Sequence, residues 1–176
     1  MNTQFKIFLF GLDYAGKTTL SKFLRKGVLL DDPSPTKVFN IDSAEFRNVE
    51  FLIWDAPGQL SYREKWKRGA LDANILLFLL DTSDKSRFEE AKRELLKVLN
   101  EYPTDNVPLV FCYHKMDLDK SVDNLNRAES FFDLETIENR KVYNLYTSIK
   151  NPEQMEFLKN LLVEMVLVKD WNMETN

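Results

Sequence analysis

Residues 5–20 read FKIFLFGLDYAGKTTL. An apolar, aromatic run passes directly into two glycines that frame a lysine and two threonines, and then into a helical pattern. FKIFLF (5–10) has the composition of a short buried strand. Residues 17–26 place Leu20, Phe23 and Leu24 on one helical face, and Gly27 closes that helix. Between the two, Gly11, Gly16, Lys17 and Thr18 match G-x-x-x-x-G-K-[ST]. In this pattern the glycines let backbone N–H groups approach phosphate oxygens, and the N-terminus of the following helix adds positive potential. Lys17 reaches the terminal phosphates, and the Thr18 hydroxyl suits Mg²⁺. The stretch reads as a phosphate cradle rather than a plain strand-to-helix turn.

Downstream, strand and helix patterns alternate. VLLDDPSPTKVFN (28–40) is a loop, and SAEFRNVEFLIWD (43–55) reads as two strands around a turn near Arg47 and Asn48. NILLFLLD (74–81), VPLVFCY (107–113) and KVYNLYT (141–147) read as further strands. SDKSRFEEAKRELLKVLNEY (83–102) is an amphipathic helix, with Ser86 and Glu89 spaced for a capping box. Residues 123–139 predict one or two short helices. Residues 152–171 predict a closing helix, with Pro152 in its first turn. REKWKR (63–68) reads as a solvated basic helix face, on which Trp66 is large enough to serve a partner surface. The alternation implies an α/β fold: a mostly parallel six-stranded sheet with one antiparallel edge and helices on both faces.

Composition narrows the function. The chain has 176 residues and a net charge of −4, which suits one compact domain and does not suit binding to nucleic acid. Cys112 is the single cysteine, read as a core thiol; a reducing, cytoplasmic location is expected. The sequence shows neither a membrane span nor a myristoylation glycine at position 2, so membrane contact is expected only indirectly or through a partner.

In open α/β sheets ligands sit beyond the carboxyl ends of the strands, and the suggestive residues fall there. Asp55 ends FLIWD and is placed to hold Mg²⁺ through water; in the Ala56-Pro57-Gly58-Gln59 run that follows, Gly58 offers an N–H to a terminal phosphate and Gln59 is placed to orient water. His114, Lys115 and Asp117 follow VPLVFCY. A carboxylate at Asp117 accepts two hydrogen bonds from guanine, a donor pair that adenine lacks, and the stem of Lys115 lies over the base. Thr36, in the loop after the first helix, is placed to reach Mg²⁺ when a terminal phosphate is present.

At this point the chain resembles the small Ras-like GTPases, most closely the Arf family, through GLDYAGKTTL, PTKVFN, the hairpin, WDAPGQ and REKWKR. HKMDL and YTSI are also similar to the base-binding motifs of the Rag GTPases. The resemblance implies a P-loop NTPase G domain over residues 1–170 with a short tail at 171–176. It implies a phosphate loop of Asp13, Tyr14, Ala15, Gly16, Lys17, Thr18 and Thr19, switch I at Thr36, and switch II from Asp55, Gly58 and Gln59. It further implies guanine contacts from His114, Lys115, Asp117, Thr147, Ser148 and Ile149. Thr18, Thr36 and Asp55 are the expected Mg²⁺ set; Gln59, Lys17 and Thr36 are the expected catalytic residues. Partners are expected to be GTP or GDP, and effectors and regulators at the switches and the 43–55 hairpin.

Three positions and the stretch before the first strand depart from the Arf pattern. Pro57 and Val38 stand where Arf proteins carry glycines; of three aromatic effector positions, Phe39 and Trp54 match two and the third falls on Gly69; and only MNTQ precedes the first strand. No arginine is evidently placed as a built-in finger, so hydrolysis is expected to be slow until a partner supplies one. Two alternatives stay open: a module that holds GTP or GDP without useful turnover, and a P-loop small-molecule kinase.

Overall fold

The computed structural model describes residues 4–27 and 37–173. Six strands form one sheet in the order β2-β3-β1-β4-β5-β6, where β1 is Gln4–Phe10, β2 Asn40–Phe46, β3 Val49–Asp55, β4 Ile75–Asp81, β5 Leu109–His114 and β6 Val142–Tyr146. Only the β2–β3 pair is antiparallel. The hairpin turns at Arg47 and Asn48, both with positive φ, as a two-residue turn matched to strand twist requires. β2 begins at Asn40, earlier than the 43–55 pattern indicated, because pairing continues out to Asn40 opposite Asp55.

Among the described residues five helices cover the sheet: α1 Lys17–Lys26, α2 Trp66–Ala70, α3 Phe88–Glu101, α4 Asp119–Phe132 and α5 Pro152–Met173. Alternation along β1 assigns the two faces. Ile7 and Leu9 join the core under α1 and α5; Phe8 and Phe10 join the core under α2, α3 and α4. Cys112 is buried in the first of these cores, as a thiol in that apolar strand should be.

Three local expectations are corrected. Ser86 and Glu89 make no capping box: a 3-10 turn over Lys85–Arg87 precedes α3, and the Ser86 hydroxyl donates to Asp84. The region after β5 holds one long helix beginning at Asp119, followed by a 3-10 turn at Leu134–Thr136, where two short helices or one were expected from 123 onward. REKWKR is a solvated face only in part: Glu64, Lys67 and Arg68 are exposed, while Arg63 and Trp66 are buried. Arg63 and Trp66 are 4% and 1% exposed, because Trp66, Gly69 and Ala70 fall on one face that packs onto β1. Trp66 meets Phe10 edge-on at 5.6 Å between ring centroids, an arrangement worth about 0.5–1.5 kcal/mol beyond burial.

Candidate nucleotide-binding site

Parallel registers bring the carboxyl ends of β1, β3, β4, β5 and β6 to one edge of the sheet. The loop from β1 to α1 opens there. Gly16 caps α1 with φ 97°, a left-handed geometry that glycine adopts without strain. Behind it lies the His114 ring, whose Cδ2 would be 3.2 Å from any Cβ at that position. Lys17 is buried, and its ammonium donates to the Leu12 carbonyl at 2.6 Å. Burial pushes its pKa down to about 8, against the pull of Asp55 and then Asp13. An anion bound beside Lys17 restores the charged form.

Asp55 ends β3 fully buried. Its Oδ2 accepts from the Thr18 hydroxyl at 2.6 Å and from the Asn40 amide at 3.2 Å, while its Oδ1 has no hydrogen-bond partner. Desolvation raises the Asp55 pKa, opposed by the Thr18 hydrogen bond and then the Lys17 charge. A buried carboxylate with one orphaned oxygen, bonded through the other to a threonine hydroxyl, is a hard oxygen donor set that fits Mg²⁺. Asn40 was not foreseen; it reaches Asp55 through the β2–β3 pairing. Thr36, expected to complete the set, lies outside the described residues.

The turn after Asp55 closes onto the phosphate loop. A Cβ on Gly58 would fall 2.4 Å from the Asp13 backbone nitrogen and 2.6 Å from the Lys17 ammonium, so only glycine fits. Pro57 is buried, and its carbonyl accepts from the Trp66 indole N–H at 2.7 Å; Gln59 follows in extended conformation, half-buried. Two arginines that the sequence left unassigned surround Asp13. Arg87 pairs with the Asp13 carboxylate at 2.8 Å, and Arg63 approaches it at 3.5 Å while binding Glu90 at 2.8 Å. Burial pulls the Asp13 pKa upward, but hydrogen bonding and charge from Arg87, joined by Arg63, outweigh it and leave the carboxyl more acidic than usual. The negative charge that Asp13 would add near phosphates is thus neutralised. The helical spacing of Arg63, Trp66 and Ala70 was the available signal; it was masked by the charges between them.

At the other end of the loop, a cleft of about 240 Å³ is lined by Gly16, Thr19, His114, Lys115, Asp117, Leu118, Ile149 and Lys150. Asp117 accepts from the Ser148 hydroxyl at 2.8 Å and pairs with Lys150 at 2.9 Å. Partial burial opposes its ionisation, but the Lys150 and Ser148 hydrogen bonds prevail and hold its carboxyl below the ordinary carboxylate range. The Lys115 ammonium donates to Asp81 and to the Tyr14 carbonyl, each at 2.6 Å, tying the cleft to the phosphate loop. Tyr14 itself is 77% exposed. His114 is buried, with Nδ1 2.8 Å from the Thr147 hydroxyl, so it underlies the cleft and joins β5 to the loop after β6. Burial, helped by the Lys115 charge, lowers its pKa to about 4, which keeps the ring neutral. A larger cleft of about 620 Å³ lies at the opposite ends of the strands, beside Pro108, Tyr143 and Leu161, and holds none of these groups.

The family model described as the ADP-ribosylation factor family matches residues 1–166. The chain belongs to the ADP-ribosylation factor (Arf) family. The fold is also that of a solved small GTPase, Arl6 BBS3 from Trypanosoma brucei, which carries the nucleotide analogue GppNp. That structure superposes with a TM-score of 0.78 at 22% identity, covering 93% of this chain and 98% of that one. Membership of the Arf family supports GTP binding and a switch function for this small GTPase. In this member the Arf-type aromatic face is altered. Phe39 and Trp54 pack at 5.4 Å between ring centroids, and Gly69 leaves its space to Phe39, whose ring would be 2.6 Å from a Cβ there.

Proposed function

We propose that this Arf-family chain is a GTP-specific switch that hydrolyses GTP slowly to GDP and phosphate. The observation that carries the reading is the seat of Gly58. It rests against the backbone of Asp13 and the ammonium of Lys17, the two places that a terminal phosphate must approach. Any group bound there is sensed by the chain that follows Asp55. Lys17 and the loop amides hold the β- and γ-phosphates, and Gly58 N–H meets the γ-phosphate. Thr18, and Asp55 through water, would hold Mg²⁺, which when bound neutralises phosphate charge. Thr36 closes switch I over the γ-phosphate, and Gln59 orients the attacking water. Loss of the γ-phosphate releases both switches.

On the base side, Asp117 accepts from guanine and the Lys115 stem covers the ring; the Ser148 N–H, expected to face the guanine oxygen, instead donates to Gln154 Oε1 at 2.8 Å. His114 holds Thr147, and with it the last base loop, in the manner of the Rag-like motifs. Arg63 and Arg87 are both committed to acidic partners, so the charge that accelerates hydrolysis comes from an activating protein. The pinned Pro57 carbonyl favours the second reading, a module that holds nucleotide without turnover.

Single-turnover hydrolysis separates the two. Phosphate release faster than in Gln59→Leu supports the switch; equal rates leave only the holding module. GTP is expected to bind more tightly than ATP, and Asp117→Asn to shift preference from guanine to xanthine nucleotides. Equal binding of ATP and GTP would refute the role given to Asp117.

A further inference from the structure

In the basic segment REKWKR (63–68) two side chains are buried, and each donates to a backbone carbonyl of the turn after Asp55. Trp66 Nε1 donates to the Pro57 carbonyl at 2.7 Å. Arg63 Nε donates to the Gly58 carbonyl, also at 2.7 Å. A peptide unit is planar, and in the trans form its N–H points opposite to its C=O. Among the described residues every peptide bond is trans. Holding the Pro57 carbonyl therefore dictates where the Gly58 N–H points: away from Trp66. Holding the Gly58 carbonyl does the same for the Gln59 N–H.

Both anchors are themselves packed or paired. Trp66 lies edge-on to Phe10 and Phe8, in the strand that runs into the phosphate loop. The far end of Arg63 is paired with Glu90 on α3. Proline suits position 57 because the interaction uses only its carbonyl, and its ring removes φ freedom from the same turn.

We infer that Trp66 and Arg63 are positioning residues that orient the two peptide units flanking Gly58, and that the Trp66 indole N–H sets this protein's preference for GTP over GDP. The inference rests on the reading of Gly58 N–H as the γ-phosphate sensor. An unaimed peptide plane costs the protein one hydrogen bond in the GTP state and none in the GDP state.

Two variants test it: Trp66→Phe, and position 66 carrying 3-benzothienylalanine, which keeps the two-ring shape and lacks the N–H. Affinities for GDP and for a non-hydrolysable GTP analogue are measured beside Tm. In the benzothienyl variant we expect unchanged Tm and GDP affinity, with affinity for the analogue down about fivefold, the worth of one hydrogen bond. Trp66→Phe shows the same change in ratio on top of a packing loss. A wild-type preference for GTP that survives unaltered in both variants, or equal losses for both nucleotides, overturns the inference alone. A wild-type protein that binds both equally overturns the reading of Gly58 and the inference with it.

Discussion

His114 is the only histidine in the chain, so a single side chain carries all imidazole titration. It is 2% exposed and sits beneath Gly16 with Nδ1 on Thr147. Folding lowers its pKa from 6.5 to about 4, burial being the main cause. Between those values the unfolded chain binds the proton and the folded chain does not. Stability therefore falls as pH drops from 6.5 toward 4 and is unaffected by this group above 6.5. Acidification to about pH 5 spans about 1.5 units of that window, or about 2 kcal/mol. The perturbation is His114→Asn, which keeps an amide to meet Thr147 and does not titrate. Urea unfolding at about pH 7 and about pH 5 is expected to show wild type losing about 2 kcal/mol more than the variant. Carboxylates titrate in both proteins and cancel, and a cavity left by Asn is the same at both pH values. The imidazole Cε1–H signal in a proton NMR titration reads the same quantity directly. Equal losses in the two proteins, or a ring that titrates near 6.5, would refute the buried, neutral His114.

Three further outcomes are expected. Gly58→Ala places a Cβ 2.4 Å from the Asp13 nitrogen; GDP binding should persist while preference for a GTP analogue is lost, as comparative nucleotide affinities would show. Gly69→Ala would put a Cβ 2.5 Å from the Phe8 ring and 2.6 Å from Phe39, an overpacking that costs about 1–3 kcal/mol and is read as a lowered urea midpoint. Lys17→Met removes the buried ammonium that faces the phosphates and should weaken GDP and GTP alike by roughly 10–100-fold in equilibrium binding, the value of a charge-assisted hydrogen bond.

The strands and the glycine-rich loop between β1 and α1 were legible because their signals are local. β1 ends in the apolar run Ile7–Phe10 and β4 is apolar from Ile75 to Leu80, and the glycine–lysine–threonine pattern lies within a single turn of chain. The errors fell where charge hid burial. Arg63 looked solvated beside Glu64, Lys65, Lys67 and Arg68, and no local rule announces that Glu90 lies within 2.8 Å of it. The same holds for Arg87 on Asp13 and for Lys150 on Asp117, pairs that join separate parts of the chain.

By itself, then, the sequence determined the alternation of strands and helices and the candidate phosphate, metal and base residues, since periodicity and motif spacing are properties of neighbouring residues. Only the tertiary structure decided how the turn after Asp55 is held. Trp66 bonds the Pro57 carbonyl and Arg63 the Gly58 carbonyl from only nine and five residues along the chain, yet a backbone carbonyl carries no mark in the sequence of which donor will fold back to reach it.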